Sequence, residues 1–352
     1  MTKIADDTRL DPRIRRIMGV TPDARAGRDV ADRAELIAKV NTESALATRA
    51  AVNANLDRID SVELAPLEGL DISTREFTSA PDGNTIKVSF MRPQVEGLVP
   101  CVYYIHGGGM QTMSAFLGMY QCWGRLIAHQ GVAVAMVDFR NALQPSSAPE
   151  VEPFPAGLND CVSGVRWLAA QADELQIDAS KIIVAGESGG GNLTIATGMQ
   201  LLRDGDIDLI SGLYALCPYL AGEWPQARFP SSTENNGLFI NTWGNTARMA
   251  YGIEAFDEAN PLAWPIFATA KDLAGLPTTV ISVNECDPLR DEGIEFYRML
   301  NEAGVEARCR QVMGTLHGSE IFSVSCPAIA TETALSIAHL ANSSRAEVAE
   351  RP

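Results

Sequence analysis

Basic side chains and long apolar runs are both scarce in this sequence. Its 352 residues contain 28 Lys and Arg against 44 Asp and Glu, which gives a formal net charge of -16 at pH 7. A field of this sign repels nucleic acid and anionic membrane surfaces, so we expect neither as a partner. No run approaches the roughly 18 apolar residues that a membrane span requires, and no apolar stretch follows a basic start as in an export signal. These absences favour a cytoplasmic protein.

Histidine and cysteine are too few and too scattered for a structural metal site. Only four histidines are present, and no two of the seven cysteines have the spacing of a zinc knuckle. An odd number of cysteines, mostly within apolar segments, indicates reduced core thiols rather than disulfide bonds. They are Cys101, Cys122, Cys161, Cys217, Cys286, Cys309 and Cys326. We therefore expect no bound metal.

The apolar pattern predicts an α/β fold. Two short strands between residues 73 and 91, joined by a turn at 81–84, open the sheet. Strands and helices then alternate, which is typical of a mostly parallel sheet covered by helices on both faces. The later strands are predicted at 101–105, 132–137, 181–185, 209–216, 278–283 and 306–312, and the helices at 115–129, 156–171, 291–303 and 327–340. We expect about eight strands.

Two segments lie outside this alternation. Residues 1–60 carry apolar side chains three or four apart, typical of amphipathic helices. Residues 218–263 are too long and too rich in aromatics for an ordinary connection. We expect the two to form a cap over the carboxyl edge of the sheet, where open α/β sheets bind ligands, although a surface excursion without function is the alternative. The core would then comprise residues 61–217 and 264–352.

The segment 182–193 predicts a strand, a tight turn and a helix, with Ser188 at the turn. Gly186 and Gly190 flank the serine in a G-x-S-x-G pattern, which lets the strand and helix pack closely while the central residue adopts strained backbone angles. This pattern is the nucleophile elbow of α/β-hydrolases. Taken alone, it is also compatible with a glycine-rich helix start that binds an anion.

The general base can be found by elimination. In this fold a serine nucleophile is followed along the chain by an acid and then by a histidine. His106 and His129 precede Ser188, and His339 lies within the last predicted helix. His317 follows the last predicted strand in a glycine-flanked loop, so we expect it to be the base.

Three carboxylates follow the strand predicted at 278–283. Asp287 lies between that strand and Pro288, which begins the next helix, so its side chain can face the histidine. We expect it to accept the imidazole N–H, fix the tautomer and stabilise the imidazolium. Glu285 and Asp291 are expected to support local structure, Asp291 by accepting N–H groups in the first turn of the helix.

A run of three glycines follows the strand predicted at 101–105. Such a run after His106 lets backbone N–H groups face a developing oxyanion. We expect Gly108, Gly109 and Gly189 to form the oxyanion hole and His106 to pack or form hydrogen bonds. A phosphate cradle would need a P-loop lysine or a G-x-G-x-x-G continuation, and the run has neither.

Two other kinds of catalyst are less consistent with the pattern. Cysteine catalysis could use Cys286 beside Asp287 or Cys326 after His317, but neither cysteine lies in an elbow. Glu187 adjoins the serine, and the tight turn should point it away. We expect Glu187 to be a structural carboxylate.

Taken together, these motifs resemble the hormone-sensitive-lipase-like family of α/β-hydrolases, and more closely the bacterial brefeldin A esterases. The likeness spans roughly residues 70 to 340 and is carried by the segments 106–110, 137–142, 186–193, 264–268 and 284–293. It implies an α/β-hydrolase fold with a helical cap formed by the N-terminal helices and residues 218–263. It also implies a Ser188, Asp287 and His317 triad, with Gly108, Gly109 and Gly189 as the oxyanion hole.

The resemblance implies a carboxylesterase that acts on short to medium acyl esters without a cofactor, in a possible homodimer. The brefeldin likeness and the aromatic insertion leave open an esterase or lactonase for a bulky or macrocyclic ester. A ligand-binding receptor on an inactive hydrolase scaffold is a third reading, against which the complete triad argues. Many relatives have Ala directly after the nucleophile, where this chain has Gly189. They have an aromatic residue after the glycine run, where this chain has Met110. Because the expected donors are backbone groups, function should survive.

Overall fold

The computed structural model describes residues 3–343. Positions 1, 2 and 344–352, which the sequence-based division assigned to the N-terminal segment and to the second part of the core, lie outside the described residues. Among residues 3–343, no helix is both long enough and apolar enough to cross a membrane.

An eight-stranded sheet organises the chain, in the order β1-β2-β4-β3-β5-β6-β7-β8. β2 pairs antiparallel with β1 and β4, and every pair from β4 to β8 is parallel. The strands are β1 Leu70–Thr78, β2 Thr85–Pro93, β3 Val99–Ile105, β4 Ala133–Val137, β5 Ile177–Glu187, β6 Gly212–Leu216, β7 Thr279–Asn284 and β8 Ala307–Val312. The predicted mostly parallel sheet of about eight strands is confirmed.

Helices cover both faces of the sheet. They are α1 Lys3–Asp6, α2 Pro12–Met18, α3 Arg33–Val40, α4 Glu43–Asp57, α5 Gly118–Ala128, α6 Ala156–Ala170, α7 Ala172–Leu175, α8 Gly189–Asp204, α9 Ser231–Glu234, α10 Thr246–Tyr251, α11 Ile253–Asp257, α12 Ala270–Leu273, α13 Arg290–Glu302 and α14 Pro327–Asn342. In β3, Tyr103 packs into the core that includes α6 and α8, whereas Tyr104 packs with α5 and α14. The central strands are apolar throughout because both of their faces are covered.

α5 begins three residues later than predicted. It was expected from residue 115 but starts at Gly118. The backbone N–H of Ala115 is bound by the buried Asp138 carboxylate at 2.7 Å, and Met113 has a positive φ of 78°, so these residues are held outside the helix. The strand predicted at 209–216 is likewise shorter, because residues 207–209 form a 3₁₀ turn.

The N-terminal helices and the 218–263 segment pack against each other. Val30 and Leu36 share an apolar cluster with Ala250 of α10. The Asn245 side chain bonds both the N–H and the carbonyl of Val30, at 3.0 and 2.7 Å. The two segments therefore form one continuous layer.

Trp224, within the insertion, and Trp264, directly after it, anchor the insertion to the core. Both are packed into the main core, and the Trp224 Nε1–H donates to Glu292 at 2.5 Å. Trp264 meets the ring of Tyr251 edge-on. The burial of these large rings stabilises the insertion.

Candidate active site

Ser188 occupies a strained turn between β5 and α8. Its φ of 56° and ψ of -118° lie outside the regions that side chains favour. A Cβ atom at Gly186 would lie 2.5 Å from the Gly190 carbonyl oxygen, and one at Gly190 would lie 2.0 Å from that of Ile105. Both neighbours are backbone atoms that cannot move aside. The G-x-S-x-G spacing is therefore a packing requirement of this turn.

His317 and Asp287 are brought together from two loops. The imidazole Nδ1 lies 2.8 Å from Asp287 Oδ2, and the other carboxylate oxygen accepts the N–H of Leu289 at 2.9 Å. Asp287 is fully buried and His317 is 7% exposed. Burial lowers the pKa of His317, but the Asp287 charge and hydrogen bond raise it more, with a smaller upward effect from Cys217, so the net pKa is well above its usual value.

The glycine run lies directly on the start of α8. Gly108 and Gly109 have φ values of 94° and 65°, which side chains rarely adopt. A Cβ at Gly189 would meet the backbone N of Met110 at 2.4 Å. Gly189 is the first residue of α8, and first-turn N–H groups have no acceptor within their own helix. Backbone N–H donors of the glycine run and of the first turn of α8 therefore lie next to each other.

Glu187 is a structural carboxylate that ties β5 to the glycine run. One of its oxygens accepts the Gly107 N–H at 2.6 Å and the Tyr120 hydroxyl at 2.5 Å. The other accepts the Tyr104 hydroxyl at 2.7 Å. Burial raises the pKa of Glu187 to about 7, against the opposing effect of these bonds. The sequence suggested the structural role but not the two tyrosines.

His106 is a buried packing residue. Its ring stacks on Phe139 with centroids 4.3 Å apart, and Nδ1 contacts the Gly107 carbonyl at 2.9 Å. Burial lowers the pKa of His106, although Asp138 opposes the shift. A neutral imidazole fixed in this way supports the loop and does not reach a ligand.

Cys217 is a site residue that the sequence reasoning missed. Its Sγ, one carboxylate oxygen of Asp287 and one ring nitrogen of His317 lie within 4.8 Å of one another. Burial raises the pKa of the Cys217 thiol to about 11, although His317 lowers it, so the thiol is neutral at pH 7. β6 lies between the strands that precede Ser188 and Asp287, so the residue after β6 had to enter the site.

The other candidate residues have structural partners. Cys286 and Cys326 lie in a small apolar cluster with Ile4 and Leu10 of the N-terminal segment, which removes the geometric basis for cysteine catalysis. Glu285 accepts the Gly314 N–H at 2.7 Å. Asp291 accepts a backbone N–H as predicted, but from Ser231 of the insertion rather than from its own helix.

A cavity of about 550 Å³ opens over the serine. Ser188, Gly108, Gly109 and His317 all line it. Among residues 3–343, no Lys or Arg side chain lines this cavity. Its apolar wall comes from the N-terminal segment, the loop before α5, α5 itself, the insertion and the loop before α14. It consists of Met18, Val52, Leu56, Ile59, Met113, Met119, Phe239, Ile240, Ile321 and Phe322. The lining suits an uncharged, apolar ligand.

A family model described as alpha/beta hydrolase fold matches residues 102–321. Among characterised relatives, the carboxylesterase NlhH of Mycobacterium tuberculosis is 31% identical over 277 residues, which cover 77% of this chain and 82% of that protein. Sequence similarity therefore extends across most of both chains.

Solved structures match over nearly the whole chain. The esterase Est22 has 57% sequence identity and a TM-score of 0.95, covering 97% of this chain and 100% of that one. Another matching structure is of Est22 with p-nitrophenol. Brefeldin A esterase, described as a bacterial homologue of human hormone sensitive lipase, has 35% identity and a TM-score of 0.82, covering 96% of this chain and 94% of that one. The resemblance drawn from the sequence motifs is confirmed.

Proposed function

This chain belongs to the α/β-hydrolase family, and from that premise we propose that it is a serine carboxylesterase for short to medium acyl esters. The observation that carries the proposal is the 2.8 Å contact between His317 and Asp287 at the cavity that Ser188 lines. An alcohol, an imidazole and a carboxylate at one cavity are the groups that acyl transfer to serine requires.

In the proposed mechanism, Ser188 attacks the ester carbonyl while His317 takes its proton. Asp287 accepts the Nδ1–H of the imidazole, which directs the other ring nitrogen to the serine and stabilises the imidazolium. His317 then gives the proton to the leaving alcohol, and an acyl-enzyme remains on Ser188. Water, activated by the same imidazole, hydrolyses the acyl-enzyme and restores the serine.

The backbone N–H groups of Gly108, Gly109 and Gly189 are the proposed donors to the oxyanion. The proposal is supported by the close approach of Gly189 to the Met110 backbone and by the left-handed φ of Gly108 and Gly109. Removing one such donor in serine hydrolases costs about 10²–10³ in kcat, so three fixed donors would supply much of the rate enhancement.

The N-terminal helices and residues 218–263 are the proposed cap over a core made of residues 61–217 and 264–343. Support comes from the contacts between the two segments and from their side chains in the cavity wall, among them Leu56 and Phe239. A cap of this kind excludes water and sets the shape of the substrate that can bind. The free thiols favour a reducing compartment, and we propose the cytoplasm.

A second candidate is an esterase or lactonase for a bulky or macrocyclic ester. It is favoured by the likeness to brefeldin A esterase and by a cavity of about 550 Å³, which is large enough for a drug-sized ligand. It uses the same catalytic groups and differs only in the substrate that the cap admits.

A p-nitrophenyl acyl series tests the proposal, with a macrocyclic lactone as the comparison substrate. Short to medium esters should be cleaved with a burst of p-nitrophenol when acylation outpaces deacylation. Preferential opening of the lactone would select the second candidate. A fluorophosphonate probe that fails to label Ser188 would leave only a ligand-binding role.

A further inference from the structure

We propose that a second cavity, separate from the one at Ser188, binds a small organic carboxylate with an apolar body. This cationic cavity, of about 580 Å³, is bounded by α4, the β1–β2 hairpin and the loops 113–116 and 144–147. The side chains that define it are Arg49, Asn53, Lys87, Ser114, Phe116 and Ser147. The proposal does not depend on the reaction at Ser188, because it concerns binding alone.

The charge of the cationic cavity is opposite to that of the chain. Arg49 and Lys87 both line it, and no acidic side chain does so in the described part of the chain. The whole chain carries a formal net charge of -16. Two cations that face one concave surface in such a chain form a local attractor for anions.

Arg49 lines the cationic cavity, and no acidic side chain in the described part of the chain faces it there. A carboxylate bound in the cavity would form a charge-assisted hydrogen bond with the accessible part of this guanidinium. The planar fork of arginine matches the two oxygens of a carboxylate. The residues that line the cavity therefore favour a carboxylate at Arg49.

Lys87 is available to the same ligand. Its ammonium lies 4.0 Å from Glu76, and the two side chains are 44% and 55% exposed. An ion pair with this length and exposure contributes little to stability and is screened by salt. A carboxylate bound between Arg49 and Lys87 would replace this weak ion pair with charge-assisted hydrogen bonds to both cations.

The walls of the cationic cavity are fixed before any ligand binds. The buried Asp138 accepts the N–H of Ala115 at 2.7 Å and that of Ser147 at 2.6 Å, so it holds both loops. The Asn141 side chain bonds the Met113 carbonyl at 2.8 Å. Phe116 and Pro145 add apolar surface beside the hydroxyls. This mixture suits an organic acid better than an inorganic anion, which has no apolar body.

The cationic cavity and the serine cavity are neighbours along one face of α4. Arg49, Val52, Asn53 and Leu56 are three, four and seven positions apart and so share a helix face. A smaller cavity of about 360 Å³, lined by these four residues and Met113, lies between the other two, and Met113 lines all three. An acid bound at Arg49 would therefore lie next to the wall of the serine cavity.

Calorimetric titration of the full chain with benzoate at low ionic strength tests the proposal, with the neutral isostere benzamide as comparison. Benzoate should bind and benzamide should not. Arg49→Leu or Lys87→Met should lower the affinity for benzoate about fivefold to tenfold, as expected for the loss of a charge-assisted, partly exposed contact. Arg49→Lys should recover part of the affinity.

Arg58→Leu is the matched control, because Arg58 follows α4 and its side chain donates to the exposed side chain of Asn55 instead of lining the cationic cavity. It should bind benzoate as the wild type does, and thermal unfolding checks that each variant is folded. Unchanged benzoate affinity in the folded Arg49→Leu/Lys87→Met double variant would overturn the proposal. The proposal would also be overturned if benzamide bound as tightly as benzoate, or if inorganic phosphate did.

Discussion

His317 Nδ1 lies 2.8 Å from Asp287 Oδ2, although the two residues are 30 positions apart in the chain. The carboxylate accepts the hydrogen on Nδ1, which leaves the other ring nitrogen free to take a proton. It also stabilises the imidazolium, so the pKa of His317 is held well above its usual value despite burial. This contact fixes both the tautomer and the pH range of the proposed base.

Asp287→Asn should reduce kcat/KM by about 10⁴, because the imidazole loses its preferred tautomer. The base works only when neutral, so activity rises with pH as His317 loses its proton. Removing the carboxylate lowers the pKa of His317, and the acid limb of the pH profile should move to lower pH. Asp291→Asn is the control, since Asp291 binds Ser231 instead. An unmoved limb in Asp287→Asn would contradict the assignment.

Many relatives carry Ala at this position, but in this chain Gly189→Ala should lower kcat by about tenfold or more, because the added Cβ would displace an oxyanion donor, which affects only the transition state. The added Cβ would lie 2.4 Å from the Met110 nitrogen, so the glycine run must shift. Gly198→Ala is a control on the same helix, where the nearest neighbours are the flexible ends of leucine side chains. Steady-state kinetics should show this loss only at position 189, and equal kcat values in the two variants would argue against a donor there.

Glu187→Gln should lower kcat with little change in KM, since Glu187 positions the glycine run through the Gly107 N–H. Tyr104→Phe removes a bond to the same carboxylate but leaves the Gly107 contact. Each change should reduce the free energy of unfolding by about 1–3 kcal/mol. Steady-state kinetics and denaturation together check the prediction. If kcat fell equally in Glu187→Gln and Tyr104→Phe, Glu187 would contribute only to stability.

Glu292→Gln should loosen the insertion. Glu292 accepts the Leu220 N–H at 2.7 Å and the Trp224 indole N–H at 2.5 Å, and an amide would turn an N–H group toward one of these donors. The expected loss is about 1–3 kcal/mol in urea unfolding. Glu295→Gln, on the exposed side of the same helix, should change stability by less than about 0.5 kcal/mol. Equal losses would contradict the structural role of Glu292.

The sequence predicted most of the fold, since each strand of the parallel part is a short apolar run followed by a segment with helical periodicity. It also predicted Ser188, Asp287 and His317 as the triad, because this fold orders its chemistry along the chain and the histidines are few. The start of α5 was wrong by three residues, since it depends on the long-range contact of Asp138 with Ala115. Local periodicity carries no information about such a contact.

Cys217 and Arg49 could not be identified from local pattern. A cysteine between Leu216 and Pro218 looks like any buried thiol, and only the order of the strands puts it beside His317. Arg49 looks like a solvated residue of an amphipathic helix, and its place beside Lys87 in one cavity becomes visible only when α4 meets the hairpin. Aromatic content alone does not distinguish a core residue such as Trp224 from a residue of the cavity wall such as Phe239.

The measurement that tests the central claim most directly is hydrolysis of p-nitrophenyl butyrate by Ser188→Ala, beside a thermal unfolding curve. Truncating a nucleophile removes the acyl-enzyme route, so kcat should fall by about 10⁴ or more while the protein stays folded. Turnover within about tenfold of the wild type would show that ester cleavage does not pass through Ser188.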